Sequence, residues 1–175
     1  GIIEGRIKVP GGDTSDLYVY VENYRGPLVR GKAVEIKQEN KQFIPRVQVV
    51  PIGTSVSFPN LDPIFHNVFS LSRAATFDLG RYPRNESKAR TFTKPGVIKV
   101  FCHLHSHMSA IVRVFPHPFF AVPDHDGRFT IPNVPAGKLE VTAWHERAGE
   151  VTHETSIEGG AATELTFSLP LTDPE

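Results

Sequence analysis

The chain has 175 residues, 39% of them apolar, with 14 glycines, 15 prolines and a net charge of zero from 19 basic and 19 acidic side chains. That length buries one core of good size or two small ones, and the composition is too ordinary for a disordered tail or a coiled coil. Neutral charge removes the electrostatic basis for nucleic-acid binding, and no apolar run approaches the roughly 20 residues of a membrane helix. No secretory signal opens the chain, so the expectation is a soluble protein or a processed mature form with no transmembrane segment.

Apolar residues recur at period two in short runs bounded by Gly, Pro, Asn and Asp, the pattern of half-buried strands. At the start, Ile3-Glu4-Gly5-Arg6 matches a protease-recognition tetrapeptide, while IEGRIKV also reads as a first strand. Strands are then predicted at 17–21, 33–37, 46–50 and 54–58, followed by a polar loop that carries His66. Residues 71–92 are the least regular stretch and are expected to be a surface excursion holding one short helical turn. Further strands are predicted at 97–101, 110–115, 128–131, 139–144 and 163–169. Asp126-Gly127 and Pro135-Ala136-Gly137 are turn signals, so 124–137 reads as a hairpin in a second unit. Its Asp-rich turn lacks the alternating oxygen donors and later bidentate Glu of a calcium loop. No amphipathic helix of ten or more residues is visible, and the prolines are scattered through the chain. The expected fold class is all-β, a sandwich.

Candidate chemistry concentrates at 97–114, VIKVFCHLHSHMSAIVRV. One predicted strand delivers Cys102 into a loop containing His105 and Met108, and a second strand follows at once. Cys-x2-His-x2-Met uses the only Cys and the only Met of the chain, with an imidazole midway. His66, in NLDPIFHNVFS, is the fourth candidate. One thiolate, one thioether and two imidazoles form the donor set of a blue-copper electron-transfer site. Structural zinc favours four Cys and His donors, and catalytic zinc keeps an open water position with no need for Met. His103 and His107 are surplus imidazoles, and His103, His105 and His107 together could chelate zinc or type 2 copper without Cys102. The choice between His105 and His107 stays open on spacing alone. A single buried thiol, a surface histidine and a core methionine are the plain alternatives for Cys102, His66 and Met108. His117, His125, His145 and His153 are expected to be surface or hydrogen-bonded histidines.

VFCHLHSHM resembles the ligand loop of the cupredoxins, with amicyanin-type spacing, and HNV after Asn60 and Asp62 resembles their upstream ligand loop. FIPRVQVVPIGTSVSFPN is similar to the strands that lead to the first histidine. The resemblance implies a cupredoxin Greek-key β-sandwich over 33–115 with one type 1 copper held by His66, Cys102, His105 and Met108. It also implies that Asn67 braces the two loops and donates toward the thiolate. Phe65, Phe69, Phe101 and Leu104 are the expected walls of a dry pocket. From 116 to 175, FFAVPDHDGRFTIPNVPAGKLEVTAWHE resembles the carboxypeptidase regulatory-like, transthyretin-type β-sandwich, and residues 1–32 look like that module's opening strands. The copper domain is therefore expected either to be inserted into a second small sandwich made from both chain ends or to share a sheet with it.

The implied function is single-electron transfer between redox partners, such as a cytochrome or a dehydrogenase, by a protein that is not an enzyme and is periplasmic or exported. Copper capture or delivery is the alternative, with His103 and His107 as the route inward; a metal-binding structural module without redox function is another. A multicopper or nitrite-reducing enzyme is disfavoured, because residue 101 before the cysteine is Phe rather than His.

Overall fold

The computed structural model describes residues 1–24, 30–105 and 107–170. Among them are seventeen strands and one 3-10 turn, Pro10–Gly12. The strands are β1 (Ile2–Lys8), β2 (Leu17–Glu22), β3 (Val34–Glu35), β4 (Lys37–Glu39), β5 (Gln42–Ile44), β6 (Val47–Pro51), β7 (Thr54–Ser57), β8 (His66–Ser72) and β9 (Ala75–Tyr82). They continue with β10 (Ala89–Phe92), β11 (Gly96–Phe101), β12 (Ser109–Phe115), β13 (Phe120–Ala121), β14 (Arg128–Ile131), β15 (Gly137–His145), β16 (Gly149–Ile157) and β17 (Ala162–Ser168). The protein is all-β, and no described helix is long and apolar enough to cross a membrane.

The chain divides into two compact units, Gly1–Gly26 with Phe119–Glu175, and Pro27–Pro118. The first unit has a sheet ordered β14-β1-β17 and another ordered β13-β2-β15-β16. Ile3, Ile7, Phe129, Ile131 and Phe167 from one sheet share a buried cluster with Val19, Val21, Val141 and Ala143 from the other. β1 runs parallel to β17 from Ile2↔Ala162 to Lys8↔Ser168 and antiparallel to β14. The tetrapeptide at 3–6 thus lies inside a paired strand whose apolar Ile3 and Ile7 are buried.

The second unit has a five-stranded sheet, β6-β12-β11-β8-β9, a three-stranded sheet, β10-β7-β3, and the β4-β5 hairpin. Val50, Val68, Val100, Val112 and Val114 from the larger sheet share a core with Val56 and Phe92 from the smaller one and with Phe58 just after β7. Alternation of apolar and polar residues along each strand builds this core, since successive side chains point to opposite faces.

Several sequence expectations differ from this arrangement. Residues 71–92 contain the end of β8 and all of β9 and β10, with no helical turn. A bulge between Asn67 and Phe69, with Gly80 at φ +77 opposite, breaks the period-two pattern there. His66 begins β8 and does not sit in a loop. β16 was not expected: its half-buried side carries Gly149, His153 and Thr155 beside Val151 and Ile157, too polar to read as a core face. The segment 124–137 is not a paired hairpin, because its strand β14 joins β1, while β15, which starts at Gly137, joins β2 and β16 in a different sheet. Its Asp124–Arg128 turn is closed by Asp124 Oδ1, which accepts the N–H groups of Asp126 and Arg128.

Candidate metal centre

β11 and β12 are antiparallel neighbours whose last pair is Phe101↔Ser109, so residues 102–108 form the loop that joins them. β8 runs antiparallel to β11 with Phe69 opposite Phe101. That register brings the start of β8 to the end of β11, and hence His66 and Asn67 to the loop that begins at Cys102. Two side chains 36 positions apart thereby meet: His66 Nδ1 lies 3.7 Å from Cys102 Sγ.

The pair is dry. His66 is 0% exposed and Cys102 is 2% exposed, and Met108 is equally buried in the cluster that holds Cys102. The Met108 N–H donates to the His105 carbonyl at 2.9 Å, which folds the loop back toward the sheet. Phe58, Val68, Tyr82, Val100 and Ala110 belong to the same buried cluster as Cys102 and Met108. This corrects the expected pocket: Phe65 and Leu104 are 47% and 44% exposed, and Phe69 and Phe101 are only half-buried.

Asn67, on β8, ties that strand to the loop that begins at Cys102. Its Oδ1 accepts the His103 N–H at 2.8 Å and lies 3.4 Å from Cys102 Sγ, as acceptor for the thiol S–H. The brace follows from the first contact, but the side chain faces sulfur with its oxygen, so the donation toward thiolate expected of Asn67 is not what the amide does. The backbone N–H of His103 fixes that orientation, because only the amide oxygen can accept from it.

The outer nitrogen of His66 is also engaged. Nε2 lies 2.7 Å from Asp62 Oδ2. A carboxylate accepts only, so Nε2 carries the proton and, in the neutral ring, Nδ1 presents its lone pair toward Cys102. Asp62 itself is fixed by Asn60, whose Oδ1 accepts the Asp62 N–H and whose Nδ2 donates to the carbonyls of Ile64 and Tyr82. Gln38 Nε2 donates to the Phe58 carbonyl and to Tyr82 Oη, and the Tyr82 hydroxyl donates to the same carbonyl at 2.6 Å. Burial pushes the Tyr82 phenol well above its ordinary value, so it stays a neutral donor. Gln38, Tyr82 and the Asp62 contact were missed from sequence; an Asp four residues before a candidate ligand histidine was the one available signal.

His105 is half-buried, with its ring 5.0 Å from that of His66, centre to centre. Desolvation holds its imidazole below the ordinary value, helped by the charges of His66, Lys41 and His107, which keeps a lone pair available at neutral pH. His107 is exposed, 6.3 Å from His105 between ring centres. His103 is exposed and stacked flat on Phe69 at 3.7 Å. Of the remaining histidines, His125 is exposed, His153 half-buried, and His117 and His145 buried; His145 Nδ1 accepts the N–H groups of Arg147 and Ala148.

These residues can be tested against a metal ion. Among the described residues, no three His, Cys, Asp or Glu side chains already converge as a closed cage. The His66–Cys102 pair stands at ligand spacing: nitrogen and sulfur sharing one trigonal ion, with bonds near 2.0 and 2.3 Å, are about 3.7 Å apart. One buried thiol, one buried thioether, the buried His66 imidazole and the half-buried His105 imidazole are a soft donor set that suits copper.

The carboxyl of Asp62 also sets an acid limit. Burial alone would raise its pKa, but the His66 ring N–H and the amides of Lys41 and Asn40 outweigh burial and hold it below the usual range. A carboxyl depressed on folding contributes stability above its unfolded value, near ~3.9, and that stability is lost as pH falls through the folded pKa. The metal-free chain is expected to weaken below about pH 4, and Asp62→Asn to flatten that dependence. Urea midpoints at two pH values on either side of that point measure both.

No protein-family model matches the chain. No curated protein matches it either. Among solved structures, it is similar to a copper-containing nitrite reductase from Thermus scotoductus SA-01, at 28% identity and TM-score 0.45, over 47% of this chain and 22% of that one. A purple cupredoxin from Nitrosopumilus maritimus aligns at 21% identity and TM-score 0.43, over 47% of this chain and 99% of that one. A reduced amicyanin variant aligns at 18% identity and TM-score 0.45, over 55% of this chain and 98% of that one. The chain thus spans about a fifth of the length of the nitrite reductase.

Proposed function

We propose that the Pro27–Pro118 unit holds one type 1 copper and passes single electrons between partner proteins. The observation that carries this reading is the buried His66 Nδ1 facing Cys102 Sγ at 3.7 Å, with Met108 buried in the same cluster. His66, Cys102, His105 and Met108 are the proposed ligands, and Asn67 is the brace between their loops. Copper bound there supplies one-electron chemistry, cycling between Cu(I) and Cu(II).

The chain's own contribution is rigidity, dryness and access. β8 carries His66, its neighbour β11 ends one residue before Cys102, and the Asn67 contact to His103 keeps the loop from moving away from β8. Little rearrangement between oxidation states means a low barrier to electron transfer. His105 is the ligand that reaches the rim, and exposed Leu104 next to it in the loop, with exposed Phe65 next to His66, offers apolar surface to a redox partner. A cytochrome or a dehydrogenase is the class of partner proposed. No substrate is transformed, and the protein is proposed to work outside the cytoplasm. The Gly1–Gly26 and Phe119–Glu175 unit is proposed to be a transthyretin-type structural module.

The test is the visible and EPR spectrum of the full chain after addition of Cu(II). An intense thiolate-to-copper band is expected in the wild type. His105→Ala should weaken or shift it strongly, whereas His107→Ala should leave it in place. Loss in His107→Ala with retention in His105→Ala would move the second histidine ligand by two positions, and a colourless wild type would end the copper reading.

A further inference from the structure

Asp62 lies outside the four proposed ligands, yet its carboxylate has three short bonds. Oδ1 accepts the Asn40 N–H at 2.7 Å, and Oδ2 accepts the Lys41 N–H at 2.9 Å and the His66 Nε2–H at 2.7 Å. Asn40 and Lys41 form the tip of the β4-β5 hairpin, and both have left-handed backbones, at φ +55 and +56. Two consecutive left-handed residues make the two-residue hairpin turn that matches strand twist. Here the turn also points successive N–H groups at one buried carboxylate.

We infer that Asp62 is a positioning residue for the proposed copper site, holding His66 with Nδ1 toward Cys102 and favouring the oxidised ion. The inference rests on that proposed site and adds a residue to it. The first half follows from tautomer chemistry. An imidazole has two nitrogens, and a ring free to flip or exchange its proton presents the wrong one part of the time. A carboxylate on Nε2 removes that choice, leaving the lone pair on Nδ1, the nitrogen 3.7 Å from Cys102 Sγ. The second half follows from charge. A buried carboxylate that accepts the outer N–H of a ligating imidazole makes that imidazole a stronger donor, and a stronger donor stabilises Cu(II) more than Cu(I).

A purely structural role for Asp62 accounts for less. The loop before β8 is already tied by Asn60 to Ile64 and Tyr82, and the Gln38–Tyr82–Phe58 bonds tie the neighbouring strands without Asp62. The hairpin tip needs only the two amide contacts. The third contact sets which nitrogen of a fully buried ring faces Cys102, which neither the hairpin tip nor the Asn60 bonds do.

The experiment uses the full chain with Asp62→Asn, which keeps the shape and removes the charge, and Asp62→Ala, which removes both. Two readouts are taken. In the metal-free protein, long-range proton–nitrogen NMR of the His66 ring should show Nε2 protonated and Nδ1 bare in the wild type, and a mixture of tautomers in Asp62→Ala. In the copper-loaded protein, Asp62→Asn should shift the preference toward Cu(I) by about tenfold, a rise in midpoint potential of about 59 mV for a one-electron couple. A wild-type potential in folded Asp62→Asn would overturn the tuning role, and an unchanged His66 tautomer in Asp62→Ala would overturn the positioning role. If Asp62→Ala does not fold, the wild type decides the positioning role: a His66 ring protonated on Nδ1 and bare on Nε2 in the metal-free protein overturns it. Failure of the copper reading looks different: the wild type then shows no thiolate band, the tuning role falls with it, and the metal-free tautomer alone decides whether Asp62 orients His66.

Discussion

Cys102→Ser should abolish the intense visible band of the Cu(II)-loaded chain and lower its copper affinity by more than ~100-fold, beyond the usual loss from disturbing a residue that merely supports a ligand. The band arises from charge transfer between thiolate and metal, and a hydroxyl is neither soft enough nor acidic enough to replace the thiolate. Folding should survive the change. The buried serine hydroxyl inherits a partner, since Asn67 Oδ1 is 3.4 Å from the present sulfur and already positioned as an acceptor. A buried hydroxyl that keeps its hydrogen bond costs little, so stability should stay within about 1 kcal/mol of wild type. Visible titration with Cu(II) and urea unfolding of the metal-free variant, run together, separate ligand loss from structural damage. If the variant loses the band but still binds Cu(II) as tightly as the wild type, copper is held without the thiol, and the alternative chelate of His103, His105 and His107 becomes the site.

The second large effect is expected at Gly5→Ala, in the unit that does not carry the proposed metal ligands. Gly5 lies in the middle of β1, with Phe129 opposite it in β14 and Leu165 beside it in β17. A methyl group placed there would lie 1.7 Å from the Leu165 carbonyl oxygen and 2.8 Å from its carbon, both main-chain atoms. Backbone cannot swing aside as a flexible side chain can, so β1 and β17 must separate. Overpacking at a tight site costs about 1–3 kcal/mol, and each ladder hydrogen bond strained by the separation adds about 1 kcal/mol. A loss of about 3 kcal/mol or more is expected. Gly159→Ala is the control, because a methyl there meets no atom within 4 Å and its φ is ordinary; it should stay within about 0.5 kcal/mol. Trp144 in β15 is the only tryptophan and belongs to the same unit, so its fluorescence during urea unfolding reports the difference. Equal midpoints for the two variants would mean that β1 does not pair with β17.

Much of this was readable in the residues. The all-β class followed from short alternating runs and scattered prolines, both local properties of the chain. Cys102, His105 and Met108 stood out because a loop between two strands confines them by spacing alone. Elsewhere local pattern failed for identifiable reasons. β9 carries a bulge at Gly80 that shifts its alternation, and β16 turns a partly polar face inward, so neither displays the period that marks a strand. His66 was singled out as a donor but assigned to a loop, because the three consecutive buried residues His66, Asn67 and Val68 do not alternate.

What the amino-acid order determined by itself is the chemistry on offer: one soft thiol, one thioether and several imidazoles, with three of the proposed donors within a single short loop. Only the tertiary structure decided which atoms face one another. The antiparallel register of β8 on β11 set His66 Nδ1 against Cys102 Sγ, and the fold of the β4-β5 tip brought Asn40 and Lys41 to the carboxylate that holds the other face of that ring. Likewise, β1 lies beside β17 although they stand at opposite ends of the chain. Spacing limits reach over a few residues, whereas contacts between distant segments depend on how whole sheets bury their apolar faces, and no local pattern carries that information.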